Sequence, residues 1–109
     1  MRSLSVVQDR IFQALADPSR RGIFESLTGG EAAVRDLTAR FDISQPAISQ
    51  HLAALREAGL VTSRREGRLV YYRVEPEGIK PLIDWIAHYR AFWTDHLDRL
   101  ETLLEEMDE

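Results

Sequence analysis

The chain has 109 residues, no cysteine, three histidines and a formal charge of −4, a length that suits one domain whose modest core gains from an oligomer interface. The lack of thiols excludes disulfides, thiolate metal sites and cysteine nucleophiles. No run of about 18 apolar residues is present to cross a bilayer, and residues 1–10 lack the apolar core of a signal peptide, so a cytoplasmic location and no membrane partner are expected.

In chain order, Leu4, Val7, Ile11, Ala14 and Leu15 mark a first helix over residues 1–16. Asp17 caps a second that opens on Pro18, buries Ile23, Phe24 and Leu27, and stops at Gly29-Gly30. Arg20 and Arg21, near its start, have either a phosphate or an acid inside the fold open to them, and stay outside the primary site. Val34, Leu37 and Phe41 form a short apolar stripe, and Asp42 allows a turn before the next helix. Ser44 is a good N-cap there, because its hydroxyl can accept from an unpaired first-turn amide, and Pro46 sits where its missing donor costs little. Ile48, Leu52 and Leu55 recur at the spacing of one buried face, and Gly59 supplies a left-handed end. Gln45, Ser49, Gln50 and His51 are left outward, side chains of the type that hydrogen-bond base edges.

Residues 61–65 and 69–74 are rich in β-branched and aromatic side chains, with Glu66-Gly67 as the expected hairpin tip. The tip carries Arg64, Arg65 and Arg68, fixed forks of donors that suit phosphate contact. Taken alone, such arginines are most often a solvated turn. Directly after a helix-turn-helix pattern, they point to a helix in the major groove of double-stranded DNA with a basic loop on the flanking phosphates. The acidic total is no obstacle: residues 1–73 hold eleven arginines against eight acids, while residues 74–109 hold three basic residues against ten acidic ones. Screening over about 8 Å at physiological salt keeps a distant acidic helix from governing the field at the groove.

Residues 78–107 read as one long helix, with Pro81 acceptable in its first turn. Leu82, Ile86, Tyr89, Trp93, His96, Leu100, Leu103 and Met107 follow alternating steps of four and three, the stripe that packs two helices side by side. Ile79, Ile83, Phe92, Leu97 and Leu104 widen it. Thirty helical residues extend about 45 Å, more than a domain of this size covers with its own core, so a second copy is the expected partner. A purely intramolecular helix and a different helical partner are the alternatives. The expected dimer contacts are Leu4, Val7, Ile11, Leu82, Ile86, Tyr89, Trp93, His96 and Leu100.

The segments ALADPSRRGIFESL (14–27), VRDLTARFDISQPAISQHLAALREAGLV (34–61) and REGRLVYYRV (65–74) resemble successive blocks of the ArsR/SmtB family of small dimeric winged-helix repressors. The resemblance implies a mainly α fold with a small β-hairpin, a winged helix-turn-helix in one domain over 1–109, with 1–16 and 78–107 as dimerisation helices. It implies that Ser44, Gln45, Ser49, Gln50 and His51, with Pro46 in the same turn, lie on the recognition helix, that Arg64, Arg65 and Arg68 form the wing, and that a homodimer binds an inverted repeat. Metal-sensing members carry a Cys-x-Cys type motif before the recognition helix. Here that stretch is EAAVRDL (31–37), so thiolate metal sensing is excluded at this site. Zinc on the last helix of some relatives uses Asp-x-His and His-x-x-Glu; here Ile86 follows two residues after Asp84 and Arg99 three after His96, so Asp84, His88, Asp95, His96 and Asp98 do not fit that spacing. No metal and no cofactor are expected. The chain also shows no glycine-rich phosphate loop and no serine, histidine and acid set at informative spacing, so an enzyme is not expected. A DNA-binding repressor is the leading expectation; a protein-interaction module recruiting a partner through the long helix is the alternative.

Overall fold

The computed structural model describes residues 2–108, with side chains over residues 6–108. The element order is α1 (Arg2–Ala16), α2 (Pro18–Thr28), β1 (Ala32–Ala33), α3 (Val34–Arg40), α4 (Gln45–Glu57), β2 (Val61–Glu66), β3 (Leu69–Val74) and α5 (Pro76–Asp108). Every expected helix and both hairpin strands are present. Three details differ. A two-residue strand, β1, pairs antiparallel with β3 through Ala32↔Tyr72 and Ala33↔Tyr71, making a three-stranded sheet in the order β1-β3-β2. Glu66 remains paired, opposite Leu69, so the hairpin turns on Gly67-Arg68 rather than Glu66-Gly67; Gly67, at φ 62°, supplies the positive φ that the first position of such a tight turn requires. Finally, α5 starts two residues early, at Pro76, where the absent N–H has no intrahelical partner to lose, so Pro81 lies inside the helix and not in its first turn as expected.

Local chemistry fixes the helix ends. Asp17 Oδ1 accepts from the Arg20 amide at 2.9 Å, and Ser44 Oγ from the Ala47 amide at 3.3 Å. At the N-terminus of α3, Asp36 reaches back to the Ala33 amide at 3.4 Å. The end of α4 is a Schellman closure: Gly59, at φ 79°, donates to the Arg56 carbonyl, and Leu60 donates to the Leu55 carbonyl, both at 3.0 Å. Leu55 and Leu60 supply the apolar contact of that motif, both fully buried.

Ile11, Ile23, Leu37, Ile48, Leu52, Leu55 and Leu60 are fully enclosed, so α1 to α4 converge on one core that the base of the hairpin closes with Val61. Ile11 corrects the expectation that placed it in a dimer contact: it is 0% exposed within its own chain. Ile79 and Leu82 pack on the same core, and Phe12 of α1 meets Trp85 edge-on at 5.3 Å. From Ile83 to Asp108 every residue of α5 is exposed. The molecule is accordingly elongated, 63 × 37 × 20 Å with a radius of gyration of 18.2 Å, against about 13 Å for a compact chain of this length. Among the described residues, no helix is long and apolar enough to cross a membrane.

The start of α5 is pressed against the end of α4. The Glu75 amide donates to the Leu60 carbonyl at 2.9 Å, and a Cβ placed on Gly78 would lie 1.6 Å from the Gly59 carbonyl oxygen. Backbone cannot yield as a flexible side chain can, so Gly78→Ala is expected to destabilise the fold by about 1–3 kcal/mol. Gly29→Ala is the contrast: Gly29 has φ −80° and its nearest neighbour stands 3.5 Å from a Cβ, so this change should be neutral or stabilising by up to about 1 kcal/mol. Denaturant unfolding of the two variants checks both signs.

Candidate nucleic-acid interface

The apolar side of α4 carries Ile48, Leu52 and Leu55, each 0% exposed. Rotation of about 100° per residue then fixes what faces away from the core. Ser44, Gln45, Pro46, Ser49 and Gln50 are all exposed and crowd the N-terminal half of the helix. The only acid of α4, Glu57, lies in its last turn, so the N-terminal half bears hydrogen-bonding groups without negative charge. His51 differs from the expected set. It is half-buried, and Arg20 of α2 donates from Nε to its Nδ1 at 3.4 Å, so the ring leans on α2. The Arg20 main-chain amide lowers the Asp17 carboxyl below the usual aspartate range, with the charge of Arg20 adding to the effect.

The hairpin divides its arginines by face. Side chains alternate along a strand, so Thr62, Arg64 and Glu66 share one face of β2 while Val61, Ser63 and Arg65 share the other. Arg56, in the last turn of α4, donates to Ser63 Oγ at 3.2 Å, which ties the Arg65 face of the hairpin to α4. Arg64 does not extend freely: it pairs with Glu31 at 2.7 Å and Glu66 at 2.8 Å, and its guanidinium carbon lies 4.8 Å from the Tyr71 ring centroid. Those carboxylates raise the Arg64 pKa further, and the hydrogen bond from Arg64 holds the Glu31 carboxyl below its usual range. Among the described residues no ion pair involves Arg65 or Arg68, both exposed at the hairpin end. Two arginines of α2 and α3 also turn inward: Arg21 donates to the Leu15 carbonyl at 2.8 Å and Arg40 to Ser26 Oγ at 2.9 Å. Among the described residues neither Arg20 nor Arg21 forms an ion pair with an acid side chain, the inward role the sequence left open for them.

The residues expected at a dimer seam fall into four groups. The Leu4 side chain lies outside the described residues, and Ile11 belongs to the core. Leu82 is half-buried against that core, whereas Val7, Ile86, Tyr89, Trp93, His96 and Leu100 are exposed along α1 and α5. His96 Nδ1 lies 2.8 Å from the Phe92 carbonyl, and its ring stacks at 4.0 Å on Phe92. Among the described residues no three His, Cys, Asp or Glu side chains group closely enough to hold a metal ion.

Residues 17–63, from the cap of α2 through α4 into β2, match the model of the bacterial regulatory proteins of the arsR family. The transcriptional repressor SdpR of Bacillus subtilis is 33% identical over 81 residues, which cover 74% of this chain and 90% of that protein. The HTH-type transcriptional regulator Rv2034 of Mycobacterium tuberculosis is 39% identical over 97 residues, 89% of this chain and 88% of its own. The chain belongs to the ArsR family. A solved ArsR-like transcriptional regulator from Rhodococcus sp. RHA1 superposes with a TM-score of 0.72 at 27% identity, covering 91% of this chain and 93% of that one. As an ArsR-family protein the chain is a DNA-binding transcription regulator built on a winged helix-turn-helix.

In this ArsR-family protein the cap of α2 carries a pH signature. A carboxyl whose folded pKa is depressed stabilises above its unfolded value and loses that contribution as pH falls through the folded value. Asp17→Ala should therefore lower the melting temperature at neutral pH, and the gap to the parent should close as pH is taken below about 3.9, the ordinary aspartate value. Thermal unfolding followed by circular dichroism across that range is the check.

Proposed function

We propose that this chain acts as a homodimeric repressor that places two copies of α4 in successive major grooves of an inverted-repeat operator, with the β2–β3 hairpin as a wing on the flanking phosphates. The observation that carries this reading is the placement, in one winged-helix fold, of an acid-free polar half-helix together with two exposed arginines that have no carboxylate partners among the described residues. Gln45, Ser49 and Gln50 have the donor and acceptor sets that read base edges in the wide groove. Arg65 and Arg68 supply fixed charge, which attracts any sequence equally and sets register. The segment from Val34 to Val74, which carries α4 and the hairpin, holds seven arginines against four acids, a positive balance although the whole chain is acidic.

The second copy follows from the uncovered length of α5. Ile86, Trp93, Leu100 and Leu103 are each more than half exposed, in a stripe that continues for several turns beyond the last contact with the core. Burying a side chain of this kind is worth about 1.5–3 kcal/mol, and several together exceed the lower range of association costs, about 4 kcal/mol. The reading requires the two-fold axis of that seam to set the two copies of α4 about 34 Å apart, one turn of duplex. Repression then needs only occupancy, since a dimer seated on a promoter excludes polymerase. The sign of regulation follows SdpR, a repressor by name.

Titration of the protein into duplexes from its own upstream region should give binding that weakens steeply with salt. Gln50→Ala should relax preference at one operator position by about 1–3 kcal/mol, whereas Arg65→Ala should weaken all sequences and reduce the salt slope by about 1. Sedimentation should return the mass of two chains. Salt-indifferent binding, or none to any duplex tried, contradicts the reading. A stoichiometric protein partner on α5 together with indifference to wing changes would favour the interaction module instead.

A further inference from the structure

We propose that Glu31, outside both the reading helix and the wing, is a positioning residue for DNA binding: with Arg64 it forms a clasp that sets the pose of the wing. The inference rests on the reading in which the wing touches DNA. Arg64 uses Nε to Glu31 Oε2 at 2.9 Å and one terminal nitrogen to Glu31 Oε1 at 2.7 Å, the two-pronged geometry in which a guanidinium holds a carboxylate most firmly. Its remaining nitrogen goes to Glu66 Oε2 at 2.8 Å. With the Tyr71 ring against the guanidinium, every nitrogen of the fork is engaged and one flat face is covered.

The place of this clasp in the sheet gives it a mechanical role. Glu31 directly precedes β1, Arg64 lies in β2, and Tyr71 belongs to β3, which runs between them. The Arg64–Glu31 pair therefore spans both outer strands across the middle one, with Tyr71 beneath. Glu66, one residue before the turn, extends the same network to the hairpin end. Strand alternation puts Arg65 on the opposite face. Holding Arg64 from one side fixes the twist of the hairpin and so the direction in which Arg65 and Arg68 project. The charge of Arg64 is meanwhile offset by two carboxylates, which leaves it a poor phosphate ligand.

The two roles for Arg64 differ in sign at Glu31. If Arg64 were a phosphate arm, removing a nearby acid would strengthen DNA binding. The clasp requires that Glu31→Gln weaken it, by roughly two- to fivefold, the range open to an exposed pair, with the slope of log K against log salt unchanged. Arg64→Ala should weaken binding equally without lowering the slope, and the double variant should be no worse than either single one, because both remove the same interaction. Arg65→Ala and Arg68→Ala serve as references: each should lower both affinity and slope by the loss of one phosphate contact. Melting temperatures confirm that the surface variants stay folded. If the references lower affinity and slope while Glu31→Gln leaves binding unchanged or improves it, the clasp is overturned and the wing reading stands. If the references change neither, the wing does not touch DNA and the clasp falls with it.

Discussion

A tight joint at Gly59 and Leu60 sets the relation among the three parts of this regulator that matter. Helix α4 ends there in a Schellman closure, β2 starts at the next residue, and the first turn of α5 is pressed onto the same peptide with no room for a side chain at Gly78. Leu60 is fully buried, which anchors the joint in the core. Helix, wing and long helix thus radiate from one fixed point. A displacement of α5 in a dimer would be carried to α4 through backbone contact rather than through flexible side chains, the kind of junction that transmits motion without absorbing it.

Charge is arranged around that joint with a division of labour. Arg21, Arg40, Arg56 and Arg64 are engaged with carbonyl, hydroxyl or carboxylate groups of their own chain. Arg65 and Arg68 extend from the hairpin without such ion-pair partners among the described residues. A net count of arginines therefore overstates the positive surface available to DNA. Apart from Glu77 in its first turn, the acidic residues of α5 lie beyond Leu82, where the helix leaves the core.

How much of this was legible in the sequence depended on the range of the interaction. Caps and periodicity act over three or four residues, so Asp17, Ser44, Gly59 and the Ile48–Leu52–Leu55 stripe located α2 and α4 directly. A strand of two alanines, by contrast, has too little length to show alternation, and β1 exists because β3 has a free edge beside it. Glu31, which clasps Arg64, and Arg20, which meets His51, lie 33 and 31 residues from their partners, and nothing local marks either pairing. Ile11 illustrates a different limit: an apolar helical stripe shows that a face is covered, not whether the cover comes from the same chain or another. The same ambiguity applied to α5, where geometry separates the cases, because Ile79 and Leu82 reach the core and Ile83 onward does not.

The central claim is that two reading helices, held at a fixed spacing, occupy one stretch of duplex. Hydroxyl-radical footprinting of the purified protein on its own upstream region tests this most directly. The account predicts two protected patches related by a two-fold axis, on one face of the DNA, with centres about 10 base pairs apart. A single unsymmetrical patch, or uniform protection without register, would contradict it.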